Sequence, residues 1–262
     1  MQKDKIKRDI FDLFNKVFGH SFTRKGHHLY KSIFDTDSRF EKELISKTLM
    51  YLNSGATVLD IGANIGRWAI SISKKTGPQG TIHAFEPNKE TFDFLTNRTK
   101  SFKNVIAHNV ALSSGEREEV EFLIQKGISC PPNAAIAETA SQIRNKEDFT
   151  IIKVKSKSID GFLEANNIKT LDFIKIDVEG HELEVMRGFK KGLKRFKPIL
   201  GIEILRDKWK NNNPSNSDVA QLILKEGYIM GQFNELTIFY EFDEAKFQQD
   251  FQNFIFIPKP NK

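Results

Sequence analysis

Cysteine is nearly absent: Cys130 is the single copy in 262 residues, so no intrachain disulfide can form. No C-x-x-C or H-x-x-x-H spacing offers a structural zinc site, and a reducing compartment is predicted. Long apolar runs are also missing. No stretch approaches about 18 uncharged apolar residues, and the lysine-studded N-terminus has no hydrophobic segment followed by a small-residue cleavage site. No stable membrane span is predicted, and the expected location is the cytoplasm. Proline (8) and glycine (16) are sparse beside 39% hydrophobic and 28% charged residues, which excludes collagen-like and disordered chains. Arginine (10 against 30 Lys) is scarce, and there is no evident row of stacking aromatics. Both argue against a nucleic-acid partner, although the net charge of +6 permits anionic ligands.

Phenylalanine, by contrast, is abundant at 23 copies and is core material first. Over residues 4–18, Ile6, Ile10, Leu13, Phe14, Val17 and Phe18 recur near helical spacing among Lys3, Lys5, Lys7, Arg8 and Lys16. This amphipathic helix is expected to cap the main domain or to form a homodimer interface rather than lie on a membrane. A second helical pattern over 40–52 carries Phe40, Leu44, Ile45, Thr48, Leu49 and Leu52. Residues 1–52 are therefore read as an N-terminal helical extension and 53–262 as the catalytic domain.

From Thr57 onward, β-branched runs alternate with helical stretches, the signature of βαβ units and a parallel sheet. Strands are predicted at 57–61, 81–86, 105–109, 172–177, 198–204, 227–233 and 253–258. The first helix is expected from about Gly66 to Lys75, and the second after Pro87 with Phe92, Leu95 and Phe102 on one face. After the third strand an insertion, about 113–158, breaks the rhythm with a β-hairpin of strands 119–124 and 150–157. Its connecting loop, 125–148, is a candidate substrate lid. Lys153, Lys155 and Lys157 share one face of the second hairpin strand, either protecting a sheet edge or lining an anion groove.

The stretch TVLDIGANIGRW (Thr57–Trp68) is a buried strand, a glycine turn and a helix start. Gly62 and Gly66 let the backbone turn sharply and approach a ligand, and a nucleotide site at the strand's carboxyl end follows. Asp60 immediately before the turn disfavours a pyrophosphate and suits a cationic ligand, such as the sulfonium of S-adenosylmethionine. Glu86, closing HAFEP at the end of the second strand, is placed to accept both ribose hydroxyls. An acid there also serves NAD, so only together with Asp60 does it discriminate.

VLDIGANIG, HAFEP, HNVALSSGE and LDFIKIDVEGHELEVMRG together resemble the FkbM family of S-adenosylmethionine-dependent methyltransferases, over a span from about Phe40 to NFIFIPK. The resemblance implies an α/β, Rossmann-like class I methyltransferase fold, a seven-stranded, mostly parallel sheet whose last strand is antiparallel. It also implies O-methylation of a sugar, glycan or related natural product. Carried over, Asp60, Gly62, Asn64 and Gly66 would hold the methionine part, Glu86 the ribose, and Asn109 with Ala111 the adenine edge.

The fourth strand delivers Asp177, Glu179 and His181 to the same sheet edge, and strand alternation puts Asp177 and Glu179 on one side. His181 or Asp177 is the expected general base for a hydroxyl acceptor. The alternative is a divalent cation held by Asp177 and Glu203, the latter a carboxylate inside the apolar strand PILGIEIL. Two rival functions stay open. One is a nucleic-acid methyltransferase, which the IDVEGHE sequence after the fourth strand argues against. The other is an inactive scaffold that binds S-adenosylmethionine.

Overall fold

The runs TVLDI, TIHAF, FIKI and ILGIEIL are buried along almost their whole length, as strands covered on both faces must be. The structure, a computed structural model, describes residues 45–127, 134–139, 146–211, 213–232 and 251–260. Its strands are β1 (Thr57–Ile61), β2 (Thr81–Phe85), β3 (Val105–His108), β4 (Ala111–Leu112), β5 (Glu119–Gln125), β6 (Ala135–Ile136), β7 (Phe149–Lys157), β8 (Phe173–Ile176), β9 (Ile199–Leu205), β10 (Tyr228–Gln232) and β11 (Phe251–Pro258). The helices are α1 (Arg67–Thr76), α2 (Lys89–Thr99), α3 (Ile159–Ala165), α4 (Glu182–Arg187), α5 (Lys190–Phe196) and α6 (Asp218–Lys225).

Seven strands form one sheet in the order β10-β11-β9-β8-β1-β2-β3. β11 runs antiparallel to both β9 and β10, while β1, β2, β3, β8 and β9 pair in parallel. All seven expected strands are present, with the last one antiparallel as the resemblance implied. The predicted helix over 4–18, and with it the proposed dimer contact, lies outside the described residues. Of the second predicted helix, residues 45–49 are helical. Phe102 falls beyond the end of α2 at Thr99, so it is not on that helix's face.

Alternation along the strands divides the core. Leu59, Ile61, Ile174, Ile176, Ile202 and Ile204 pack with Phe162, Val185, Met186 and Ile223 on one side of the sheet. Val58, Ile82, Ala84 and Phe173 pack with Trp68, Ala69, Ile72 and Leu95 on the other. The intervening residues Asp60, Lys175 and Glu203 consequently fall on the α1 side.

The insertion is more than a hairpin. β5 and β7 pair antiparallel, and two strands of two residues each, β4 and β6, extend them to a four-stranded sheet ordered β4-β7-β5-β6. β4 covers β7 only at Ser156 and Lys157, so among the described residues Lys153 and Lys155 stand where the other side of β7 is unpaired, as the edge-protecting reading expects. Lys153 and Lys155 stand directly opposite Glu121 and Glu119, an arrangement worth about 0.2–1 kcal/mol per pair. The opposite face buries Ala111, Val120, Phe122, Ile136 and Val154. The candidate lid is partly ordered by β6 and by a 3-10 turn at Lys146–Asp148. Cys130 and the Pro131-Pro132 pair lie outside the described residues.

The insertion is seated on the main domain at a glycine. A Cβ added to Gly188 would lie 2.1 Å from the Ser113 carbonyl oxygen, which backbone must yield to accommodate. Gly188→Ala is expected to destabilise the protein by about 2 kcal/mol or more, an overpacking cost. Thermal unfolding should register this as a drop in Tm of roughly 4–8 °C.

Candidate functional site

The carboxyl ends of β1, β2 and β8 converge on a cleft that is open to solvent. Its lining includes Gly62 and Asn64 after β1, Glu86 and Pro87 after β2, and Asp177, Val178 and Glu179 after β8. The insertion closes it with Ala111, Phe122, Ala134 and Ile136.

The glycine turn is built by backbone proximity. Gly62 has φ +74°, and a Cβ there would lie 1.8 Å from the Asp177 carbonyl oxygen, so no other residue fits. Gly62 and Ala63 donate their N–H groups to the Phe85 carbonyl at 3.1 and 2.9 Å, tying the turn to the end of β2. Asn64 is left-handed (φ 47°), and its side-chain oxygen meets no donor among the described residues.

Glu86 is buried, and its carboxylate accepts from the Asn64 N–H at 3.1 Å and the Asn88 N–H at 2.9 Å. Burial pushes this carboxyl up to about 7 despite those two bonds. Asn109 does not line the cleft: its amide donates to the Glu86 and Pro87 carbonyls, both at 2.9 Å, and holds the turn that presents Glu86. Ala111 does line it. Gly66 instead caps α1 in a left-handed conformation, with space for a Cβ denied by Leu95 at 2.7 Å.

Asp60 lies beneath the turn rather than in the cleft wall. It is wholly buried, and burial raises its pKa, against which the nearby Lys175 pulls it down. The Lys175 ammonium sits 3.6 Å from Asp60 and 3.2 Å from Asp177, and it donates to the Gly62 carbonyl at 2.9 Å. Burial alone would lower the pKa of this amine, but Asp177 and Asp60 outweigh it and hold it above its ordinary value. Lys175 is the central residue that motif reading passes over. Its signal was available, since a cation within the apolar run FIKI invites the same question as Glu203 within GIEIL.

Asp177 and Glu179 do share the cleft, but not through strand alternation, because β8 stops at Ile176. Left-handed residues at Glu179 (φ 55°) and Gly180 (φ 100°) turn the chain instead. Carboxylate oxygens of Asp177, Glu179 and Glu203 lie within 4.8 Å of one another. Burial first, then the neighbouring Asp177 and Glu179, raises the Glu203 pKa well above its ordinary value.

His181 is not placed as a base toward the cleft. Its ring is buried and does not line the cleft, with Nε2 2.8 Å from the Ser113 hydroxyl and Nδ1 3.0 Å from the Thr139 hydroxyl. Burial lowers its pKa to about 4. Its neutral imidazole ties the turn after β8 to the insertion, a structural task that explains why it follows the acidic pair. Elsewhere buried His83 and half-buried His108 form an imidazole pair, Nδ1 to Nε2 at 3.0 Å, with His108 stacked on Phe85 and His83 edge-on to Phe162.

The arrangement defines an α/β protein with a cleft at the carboxyl ends of its central strands, whose described lining carries acids and no cation. The chain belongs to the FkbM methyltransferase domain family, whose model matches residues 60–230. It is 32% identical over 158 residues, covering 60% of this chain and 59% of the relative, to hexuronic acid methyltransferase AglP of Haloferax volcanii. It is also 28% identical over 146 residues to Methyltransferase 1 of Beauveria bassiana, covering 50% of this chain and 57% of that relative. The chain thus spans somewhat under three-fifths of the length of these two curated relatives. Methyltransferase FkbM from Methylobacillus flagellatus KT superposes with a TM-score of 0.47 at 16% identity, over 79% of this chain and 44% of that one.

Glu182 offers a direct check on the electrostatics of the turn. It is buried, accepts from the Gly180 N–H at 2.9 Å, and burial raises its carboxyl to about 7. A carboxyl with a raised folded-state pKa gives stability that is full below the unfolded value near 4.5 and is lost as pH rises through about 7. Glu182→Gln keeps an acceptor and removes that titration. Its Tm relative to the parent protein is therefore expected to rise between pH 5 and pH 8, by the equivalent of about 3 kcal/mol at most.

Proposed function

We propose that the protein is an S-adenosylmethionine-dependent O-methyltransferase acting on a hydroxyl of a sugar, glycan or related natural product. One observation carries the reading: the described cleft lining holds three carboxylates, Glu86, Asp177 and Glu179, and no cation. Such a lining repels the pyrophosphate of a dinucleotide and suits an adenosine ligand bearing positive charge. The unpaired Asn64 oxygen and the crowded Gly62 turn fit a ligand laid against the backbone there.

Glu86 would hold the ribose, Gly62 and Asn64 the methionine part, and Ala111 the adenine edge, with Asp60 acting from beneath through Lys175. When bound, the donor supplies a methyl group already activated on a sulfonium. The protein's task is to hold an acceptor oxygen in line with it and to exclude water. Asp177, exposed to the cleft, takes the hydroxyl proton and becomes neutral, which removes one negative charge from beside Glu179 and Glu203. A divalent cation in place of this base is disfavoured by the Lys175 ammonium already paired with Asp177.

Similarity to a relative named as a hexuronic acid methyltransferase supports a sugar acceptor. The acidic lining favours presentation of an uncharged or cationic part of that acceptor to the cleft rather than a uronate carboxyl.

S-adenosylhomocysteine at about a hundred times its Kd is expected to stabilise the protein by about 2.7 kcal/mol, raising Tm by roughly 5–10 °C. Glu86→Ala should abolish that rise, and NAD should give none; a rise with NAD alone would make the cleft a dehydrogenase site. Loss of the gene should remove a methyl group from host glycans by mass spectrometry. Asp177→Asn, retaining S-adenosylhomocysteine binding, should restore that methyl about a hundredfold or more slowly than the parent protein.

A further inference from the structure

Lys175 occupies a position where a lysine is costly. It lies in β8, between Ile174 and Ile176, with its side chain 7% exposed. Withdrawing an ammonium from water costs several kcal/mol unless charged and polar partners surround it. Its partners come from different parts of the chain. The Gly62 carbonyl accepts at 2.9 Å, Asp177 lies at 3.2 Å, Asp60 at 3.6 Å, and the Trp68 ring centroid at 5.8 Å. One amine thus joins the end of β1, the glycine turn, the end of β8 and the first turn of α1.

Two of these partners, Gly62 and Asp177, line the cleft, whereas Lys175 itself does not. Gly62 has no side chain with which to anchor itself, and its left-handed backbone is one that a glycine can also leave easily. Its N–H is fixed by the Phe85 carbonyl, and its carbonyl is fixed by the lysine. Neutralising Asp60 alone would require only proximity to that one carboxylate, yet the hydrogen bond goes to the turn.

We propose that Lys175 is the positioning residue of the donor site, fixing the Gly62 carbonyl and the Asp177 carboxylate relative to each other through a single buried ammonium. The proposal rests on the methyl-donor reading above. It assigns Lys175 no contact with the donor and no proton transfer; the residue acts through the turn and the acid that it holds.

The test separates positioning from simple neutralisation of Asp60. Lys175→Met leaves buried acids without a countercharge and is expected to lower Tm or to prevent folding. Lys175→Met combined with Asp60→Asn removes the buried ion pair as a unit, which proteins commonly tolerate. The double variant is expected to fold with a Tm near that of Asp60→Asn alone, yet to bind S-adenosylhomocysteine at least tenfold more weakly in calorimetry. In amide NMR spectra, its Ala63 signal, next to the freed Gly62 carbonyl, should broaden through exchange, while that of Asp60→Asn stays sharp. Equal affinities for the double variant and Asp60→Asn, an unbroadened Ala63 signal, or a double variant that does not fold would each overturn the proposal. A parent protein that fails to bind S-adenosylhomocysteine would instead overturn the donor reading itself, so the two failures are distinct.

Discussion

The site depends on the balance between one buried cation and the acids gathered around it. Asp60, Glu86, Glu182 and Glu203 are all buried at the carboxyl end of the sheet, and Lys175 is the buried lysine among the described residues. Fully ionised, that group would carry a charge excess that a low-dielectric interior does not tolerate. The molecule resolves it in three ways. Lys175 faces Asp60 and Asp177, backbone N–H groups cap Glu86 and Glu182, and burial raises the Glu203 pKa so that its charged form is disfavoured. The pKa values displaced toward neutrality are the residue of that compromise.

Much of the main domain was legible because its signals are local. TVLDIGANIGRW reads as strand, turn and helix through composition alone, and all seven sheet strands fall within a few residues of their expected limits. The short strands β4 and β6 were not legible, since two residues carry no periodicity, and they pair only because β7 and β5 are already present. Whether a strand is an edge is a property of the sheet, not of the strand: β4 covers β7 at Ser156 and Lys157 and leaves the stretch with Lys153 and Lys155 unpaired on that side among the described residues. His181 illustrates another limit. A histidine beside two acids suggests proton transfer, but its direction is decided by Ser113 and Thr139, 68 and 42 positions away. Lys175 was hidden inside a familiar motif, where attention goes to the acids that follow it.

The insertion turns a general fold into a particular cleft. Ala111, Phe122, Ala134 and Ile136 come from the second sheet or its borders and form the apolar wall opposite the acidic strand ends. The tether from His181 to Thr139 and the tight seat of Gly188 on Ser113 fix that wall to the turn after β8. Changes in the insertion can therefore alter which acceptor is received without disturbing the glycine turn, a division of labour common to folds that host many chemistries.

The placement of β11 bears on how the molecule is made. It is inserted between β9 and β10, and among the described residues β10 pairs with the sheet through β11 alone. A nascent polypeptide that has emerged from the ribosome only as far as β10 therefore presents β9 as an open, apolar edge, ready to accept a strand from any neighbour. Completion of the sheet awaits nearly the last segment described, so the interval between synthesis of β9 and arrival of β11 is when the chain is most exposed to aggregation and to capture by chaperones.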